Sequence, residues 1–280
     1  MLTRTFAVRL LAGTAVALSL SSCASLEAYL QDSQQPVATA SAPQSAGDWQ
    51  TLMQVAETTH EKGDSRMAML VYKRAHSQAP DRKEPLMAIA ALASESGAPR
   101  EAAQAYRKLL DMDPEDLEAR HGLGRALIDI EMPLAAQEQF RILVEMHPEQ
   151  ARAYNGLGIA QDMAGDHPAA QKSYRMGLAL EPENLNLSNN LAFSLILTGD
   201  HREAAAILEQ VVASPSATNQ HRQNLALAYG LAGRDTDARS LLLRDYTDDI
   251  AAQSVAYYQD LRQGDANLQP SGAARNTTAE

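Results

Sequence analysis

The chain has 280 residues, 45% of them hydrophobic and 21% charged, and this composition excludes wholesale disorder. A formal net charge of -11 argues against nucleic-acid binding through a basic face. A single cysteine excludes an internal disulfide framework. Fifty alanines, set against 5% aromatic residues, favour helix throughout.

The first 22 residues are predicted to be a targeting signal. Two arginines lie near the start, and residues 10–20 form an apolar stretch that is too short to span a bilayer. The sequence Leu20-Ser21-Ser22-Cys23 then resembles the bacterial lipobox, in which small residues precede a cysteine that becomes lipidated. We therefore predict a lipoprotein signal peptide at 1–22 and lipidation of Cys23; an ordinary signal peptide is the alternative.

The residue after the cysteine bears on the destination. It is Ala24 and not aspartate, which by resemblance to enterobacterial lipoproteins implies sorting to the outer membrane, on its periplasmic face. Residues 23–48 lack apolar periodicity and are predicted to be the lipidated cysteine followed by a flexible tether. Residues 264–280 also lack an apolar pattern and are predicted to be a disordered tail.

Prolines mark a regular period between these flanks. Pro80, Pro114, Pro148 and Pro182 follow one another at intervals of 34 residues. Placing them at position 32 of a unit gives six units, at 49–82, 83–116, 117–150, 151–184, 185–218 and 219–252.

Other columns of this register are nearly constant. Position 20 is alanine in every unit: Ala68, Ala102, Ala136, Ala170, Ala204 and Ala238. Position 8 is always alanine or glycine, position 7 is always aliphatic, and position 24 is aromatic in the first four units. Small residues in two columns let helices approach closely, and the ring at position 24 fills the space beside them.

These columns resemble the tetratricopeptide repeat, whose period is also 34 residues. The resemblance implies an all-α solenoid of six helix-turn-helix repeats, and residues 253–263 are predicted to form a C-terminal capping helix. Glycine at position 15 is expected to end each first helix in a left-handed conformation. In unit three Glu131 replaces this glycine, so a different turn is expected there.

Motifs for chemistry are scarce in the sequence. The seven histidines include no pair at i and i+4, and no Walker loop or G-x-S-x-G motif occurs. Two fragments, 122–124 and 156–158, have the Gly-Leu-Gly pattern of dinucleotide-binding loops but lie at packing positions of first helices. We therefore predict no catalytic residue, no metal site, no cofactor and no enzymatic activity.

Binding is the better expectation. By resemblance to the family, the first helices line a concave groove through positions 2, 5, 6, 9, 12 and 13. These positions are mostly polar in the N-terminal units, whereas amides and aliphatic side chains recur together toward the C-terminus. The predicted peptide-binding groove comprises Asn155, Asn189, Asn190, Asn224, Ile159, Phe193 and Leu227. An asparagine amide can both donate to and accept from a peptide backbone, but these asparagines could equally hold neighbouring helices together.

Two segments suggest a biological context. SNNLAFSLILTGDHREAA (188–205) and RQNLALAYGLAG (222–233) resemble the tetratricopeptide lipoproteins of the tight-adherence (Tad) system, which assembles Flp pili. The resemblance implies an outer-membrane-anchored, pilotin-like accessory that helps the secretin channel. The expected partners are the secretin or other pilus assembly components, and the membrane through the lipid anchor. A general envelope adaptor that docks peptidoglycan hydrolases or proteases is the alternative.

Overall fold

The computed structural model describes residues 49–268, in which every regular element is an α-helix. In chain order these helices are α1 (Trp49–Glu61), α2 (Ser65–Gln78), α3 (Lys83–Glu95), α4 (Pro99–Met112), α5 (Leu117–Asp129), α6 (Pro133–Met146), α7 (Ala151–Met163), α8 (His167–Leu180), α9 (Leu185–Thr198), α10 (His201–Ala213), α11 (Asn219–Leu231), α12 (Asp235–Leu242) and α13 (Asp248–Leu268). None of these helices is long and apolar enough to cross a membrane. The predicted signal peptide, Cys23 and the tether lie outside the described residues.

Helices from α1 to α12 pack against one another in chain order as six consecutive helix-turn-helix units. First helices of neighbouring units also touch, because α3 contacts α5, α5 contacts α7, α7 contacts α9, and α9 contacts α11. The first helices therefore lie side by side along one face of the solenoid. We call this face the groove.

Local sequence explains where the helices begin. Asp64, Asp116 and Asp166 each accept a hydrogen bond from the backbone N–H three residues later, at 2.9, 2.9 and 3.2 Å. Such side-chain caps satisfy a donor that the first helical turn leaves unpaired. Pro99 and Pro133 instead occupy the first helical turn, where proline's missing N–H costs nothing.

The turns inside the units follow the predicted glycine column. Gly63, Gly97, Gly165, Gly199 and Gly233 have φ between 68° and 89°, which is the left-handed region that ends a helix. The expectation of a different turn in unit three is wrong. The glutamate at position 131 adopts φ of 60°, and the next helix begins at position 17 of the unit, as it does in unit two. The units stack closely enough to impose one turn, although an L-residue pays about 1–2 kcal/mol there.

Close approach of helices shapes the core. All six alanines at position 20 have no exposed surface. The Phe140 ring lies over Gly124 of its own unit and Gly156 of the next, so closely that a Cβ on Gly156 would stand 2.3 Å from a ring carbon. Tyr174 covers Gly158 in the same way, at 2.4 Å. The glycines of the Gly-Leu-Gly fragments therefore form part of the surface against which aromatic rings pack.

The C-terminal end departs from the predicted boundaries. Helix α12 has 8 residues where the other second helices have 13 or 14, and α13 begins at Asp248, five residues before the predicted start of the cap. Helix α13 packs on α11 and α12, with Tyr258 against Gly230 and Arg262 paired to Asp235 at 3.0 Å. The last residues of this helix, 264–268, belong to the segment predicted to be a disordered tail.

Candidate peptide-binding groove

Hydrogen-bonded amides cross the first helices of units four to six. Asn190 on α9 donates from Nδ2 to Oδ1 of Asn155 on α7 at 2.9 Å. Asn224 on α11 donates in the same way to Asn189 on α9 at 2.8 Å. All four predicted asparagines thus take part in contacts between repeats, as the helix-packing alternative describes. We call these four residues the amide ladder.

The asparagines of the amide ladder differ in how many hydrogen-bonding groups they leave available to a ligand. Asn224 is 5% exposed, and its Oδ1 accepts a further hydrogen bond from Gln220 at 3.1 Å, so both its nitrogen and its oxygen already have partners. Asn155 is half-buried, and its Nδ2 has no partner in residues 49–268. Asn189 Nδ2 reaches Asn190 only at 3.5 Å, the limit for a hydrogen bond. Asn155 and Asn189 are therefore the ladder amides best placed to meet a peptide backbone.

Apolar side chains lie beside the amide ladder. Ile159 and Phe193 are half-buried, whereas Leu227 is only 7% exposed and belongs to the core. Met163 and Leu197, four residues after the first two, are 43% and 38% exposed. Residues four apart share one face of a helix, and α7 and α9 touch. Ile159, Met163, Phe193 and Leu197 therefore form one surface, which we call the apolar strip.

Carboxylates dominate the other end of the groove. Glu57, Glu61 and Glu95 are exposed on α1 and α3. Burial raises the pKa of Tyr72, and these three carboxylates raise it further because they repel the phenolate. His60 Nε2 lies 3.3 Å from Glu95. The N-terminal end of the groove is therefore a region of negative potential.

A charged pair marks the boundary between the two regions. Arg152 at the start of α7 hydrogen-bonds through both of its terminal nitrogens to Glu118 on α5. The Arg152 guanidinium accordingly lowers the pKa of Glu118. His121 lies beside them, edge-on to Phe140 with ring centroids 5.6 Å apart. Burial, and then the positive charges of Arg152 and Arg125, lower the pKa of His121.

A polar cluster that the sequence did not reveal joins units four and five. Asp162 Oδ1 accepts from the Ser194 hydroxyl at 2.7 Å and lies 2.8 Å from His167 Nδ1, while its Oδ2 accepts from the Tyr174 hydroxyl at 2.9 Å. Ser194 has no exposed surface. Although it contains serine, histidine and aspartate, the cluster lacks the serine–imidazole hydrogen bond of a hydrolytic triad. We call it the Asp162 cluster and assign it to holding repeats together.

One signal could have revealed the Asp162 cluster. Position 10 is alanine or leucine in four units, yet unit five has Ser194 there. A buried hydroxyl in an apolar column requires a partner.

No group of three or more histidine, cysteine, aspartate or glutamate side chains that could hold a metal ion occurs in residues 49–268.

Comparison with known proteins identifies the architecture. A family model described as tetratricopeptide repeat matches residues 93–160. This range runs from the end of α3 in unit two to α7 in unit four, and the helix pairs continue in the same register on both sides of it. The fold is a tetratricopeptide-repeat solenoid. A search of curated proteins found no match.

Solved structures share this solenoid. A tetratricopeptide repeat protein from Parabacteroides merdae is 19% identical with a TM-score of 0.62, covering 84% of this chain and 90% of its own. MamA from Desulfovibrio magneticus is 22% identical with a TM-score of 0.55, covering 60% and 96%. PilW, a widely conserved type IV pilus biogenesis factor, is 16% identical with a TM-score of 0.54, covering 81% and 97%.

The likeness extends to the fold, which typically serves as a scaffold for protein interactions and not for catalysis. At these sequence identities, the groove residues of the solved structures do not predict the groove residues of this chain. The amide ladder and the apolar strip must therefore be interpreted from this chain's own residues.

Proposed function

We propose that this chain is a scaffold that binds an extended segment of a partner protein in the groove of units four to six. The observation that carries the proposal is the apolar strip lying beside the half-buried amides of Asn155 and Asn189. Apolar side chains of a ligand gain from burial on the strip, at roughly 25 cal/mol per Å². The amides add orientation through hydrogen bonds worth about 0.5–1.5 kcal/mol each.

The proposed setting is assembly of Flp pili by the Tad system, in which the chain acts as a TadD-like lipoprotein that assists the secretin. Two observations support this setting. The segments 188–205 and 222–233 resemble Tad lipoproteins, and the solenoid is shared with PilW, which is a pilus biogenesis factor. A lipid on Cys23 would hold the scaffold at the periplasmic face of the outer membrane.

The groove is tested by a substitution on the apolar strip with a matched control. Leu197→Gln removes an exposed apolar side chain from the strip, and Leu134→Gln removes one on the second helix α6, where it is 73% exposed. In cells, Leu197→Gln is expected to reduce surface Flp pili and secretin multimers, whereas Leu134→Gln leaves both unchanged. Equal effects of the two substitutions, at equal protein levels, would reject the groove as the binding surface.

Two further experiments test the setting. Cys23→Ser should abolish incorporation of labelled palmitate and release the protein from the outer-membrane fraction; unchanged fractionation contradicts the anchor. Photo-crosslinking from position 163 of the groove should capture the secretin or another pilus component. Capture of a peptidoglycan hydrolase or a protease instead would favour the general envelope adaptor.

A further inference from the structure

The charge of the groove changes sharply along its length. At groove positions, units one to three carry six carboxylates: Glu57, Glu61, Glu84, Glu95, Glu118 and Asp129. Arg125 is the only lysine or arginine at those positions of units one to three. In units four to six the same positions carry only Arg152 and Asp162, and both are engaged, with Glu118 and within the Asp162 cluster.

Half of these six carboxylates are not neutralised by any other residue in 49–268. Glu57, Glu61 and Glu84 are exposed and have no hydrogen bond or ion pair with any residue in 49–268. Arg152 neutralises Glu118, and His60 stands against Glu95. Exposed carboxylates on adjacent helices repel one another, and cations on a ligand would relieve that repulsion.

The groove is about equally long over units one to three and over units four to six. Packed helices lie about 8–10 Å apart, so three adjacent first helices span on the order of 25 Å. An extended peptide rises about 3.3 Å per residue, so each half accommodates roughly 8 residues. One continuous segment of about 16 residues therefore reaches from the apolar strip to the carboxylates of unit one.

We infer that the occupant of the groove is a bipartite segment of a partner protein, with an apolar stretch on the apolar strip and a lysine- or arginine-rich stretch over units one to three. The inference rests on the groove function proposed above and specifies its ligand. The apolar strip binds the apolar stretch. The carboxylates of units one to three then favour ligands in which that stretch is followed by basic residues. A segment with acidic flanks would meet carboxylates there and be rejected.

A peptide selection tests this specificity. Random 16-residue peptides displayed on phage are selected at about 50 mM salt against the full-length chain, and against a triple variant carrying Glu57→Gln, Glu61→Gln and Glu95→Gln. The native chain is expected to enrich peptides with an apolar block and a Lys/Arg block, and the variant to enrich the apolar block alone. For a synthetic peptide from the native selection, the triple variant should weaken binding about 5- to 10-fold, as the loss of three exposed ion pairs implies.

A second triple variant controls for net charge. Asp111→Asn, Glu115→Gln and Glu183→Gln change the net charge equally, but these exposed residues lie on α4 or in loops after second helices. Binding of the same peptide should be nearly unchanged by them. Weakening equal to that of the groove triple would overturn the inference, because the effect would then follow total charge and not the groove.

The selection separates failure of the inference from failure of the proposed function. Peptides that bind the apolar strip but lack basic enrichment would overturn the bipartite ligand and leave the groove function intact. Peptides whose binding is unaffected by Leu197→Gln, or no enrichment at all, would overturn both. Photo-crosslinkers at positions 53 and 197 determine the direction in which the peptide lies along the groove. The basic block should crosslink at 53 and the apolar block at 197. The reverse order overturns the inference.

Discussion

The glycine at position 156 offers a sharp test of how tightly the solenoid is stacked. A Cβ at this position would lie 2.3, 2.4 and 2.6 Å from three carbons of the Phe140 ring, whereas carbon atoms pack at about 3.5–4.0 Å. The ring cannot easily retreat. Phe140 is fully buried, Gly124 lies against it, and His121 contacts it edge-on.

Gly156→Ala should therefore destabilise the protein even though alanine is the better helix former. The change gains about 1 kcal/mol of helix propensity. Overpacking costs about 1–3 kcal/mol, and the full overlap with a confined ring places this site at the upper end. We expect a net loss of about 1–2 kcal/mol, which lowers the thermal midpoint by about 2–8 °C for a folded region of this size. Far-UV circular dichroism on heating measures it.

Gly264→Ala is the matched control. Gly264 lies in α13, and a Cβ there would meet nothing within 4 Å, so only the propensity gain of up to about 1 kcal/mol remains. The same substitution should thus raise the midpoint at one site and lower it at the other. In a Phe140→Leu background Gly156→Ala should cost less, because the obstructing ring is gone. A neutral or stabilising Gly156→Ala would refute the close contact.

Three further predictions concern stability. Asp162→Ala leaves two hydroxyls without their acceptor and should cost about 2–4 kcal/mol in urea unfolding; additivity with Ser194→Ala would show that the two side chains do not interact. Gly199→Ala should cost about 1–2 kcal/mol, since φ is 89° and no side chain obstructs a Cβ; an unchanged urea midpoint contradicts this. Burial and Arg152 lower the pKa of His121, so the unfolded chain binds the proton more tightly and stability falls as pH drops below about 6.5. His121→Gln should reduce the drop in urea midpoint between pH 7.5 and 5.5, and an equal drop in both proteins contradicts this.

The repeat register was predictable because the same few contacts recur in every unit. The alanine at position 20 is fully buried in all six units, so six copies of the pattern specify one packing. The φ values of the five glycines at position 15 confirm that their conformation could be inferred from sequence. Residue type alone does not predict the turn at Glu131, because that turn is imposed by stacking on both sides and not only by local preference.

Features of individual units were less predictable. The Asp162 cluster joins residues 5, 12 and 32 positions apart, through side-chain directions that a column of residue types does not contain. The early start of α13 does not follow from the 34-residue register, which extends unit six to residue 252. Unit six lacks the proline at position 32, and the chain turns after only 8 residues of α12.

Position 6 distinguishes units five and six from the two units before them. In units three and four this position is Gly122 or Gly156, and each lies directly beneath the aromatic ring of the preceding unit. In units five and six it is Asn190 or Asn224, and the amide reaches back to the first helix before it. Position 6 therefore lies against an aromatic ring in units three and four, whereas it carries a hydrogen-bonding side chain in units five and six. Because exposed Met163 lies on α7, the helix that the Asn190 amide reaches, the groove there offers hydrogen bonds and apolar contact together.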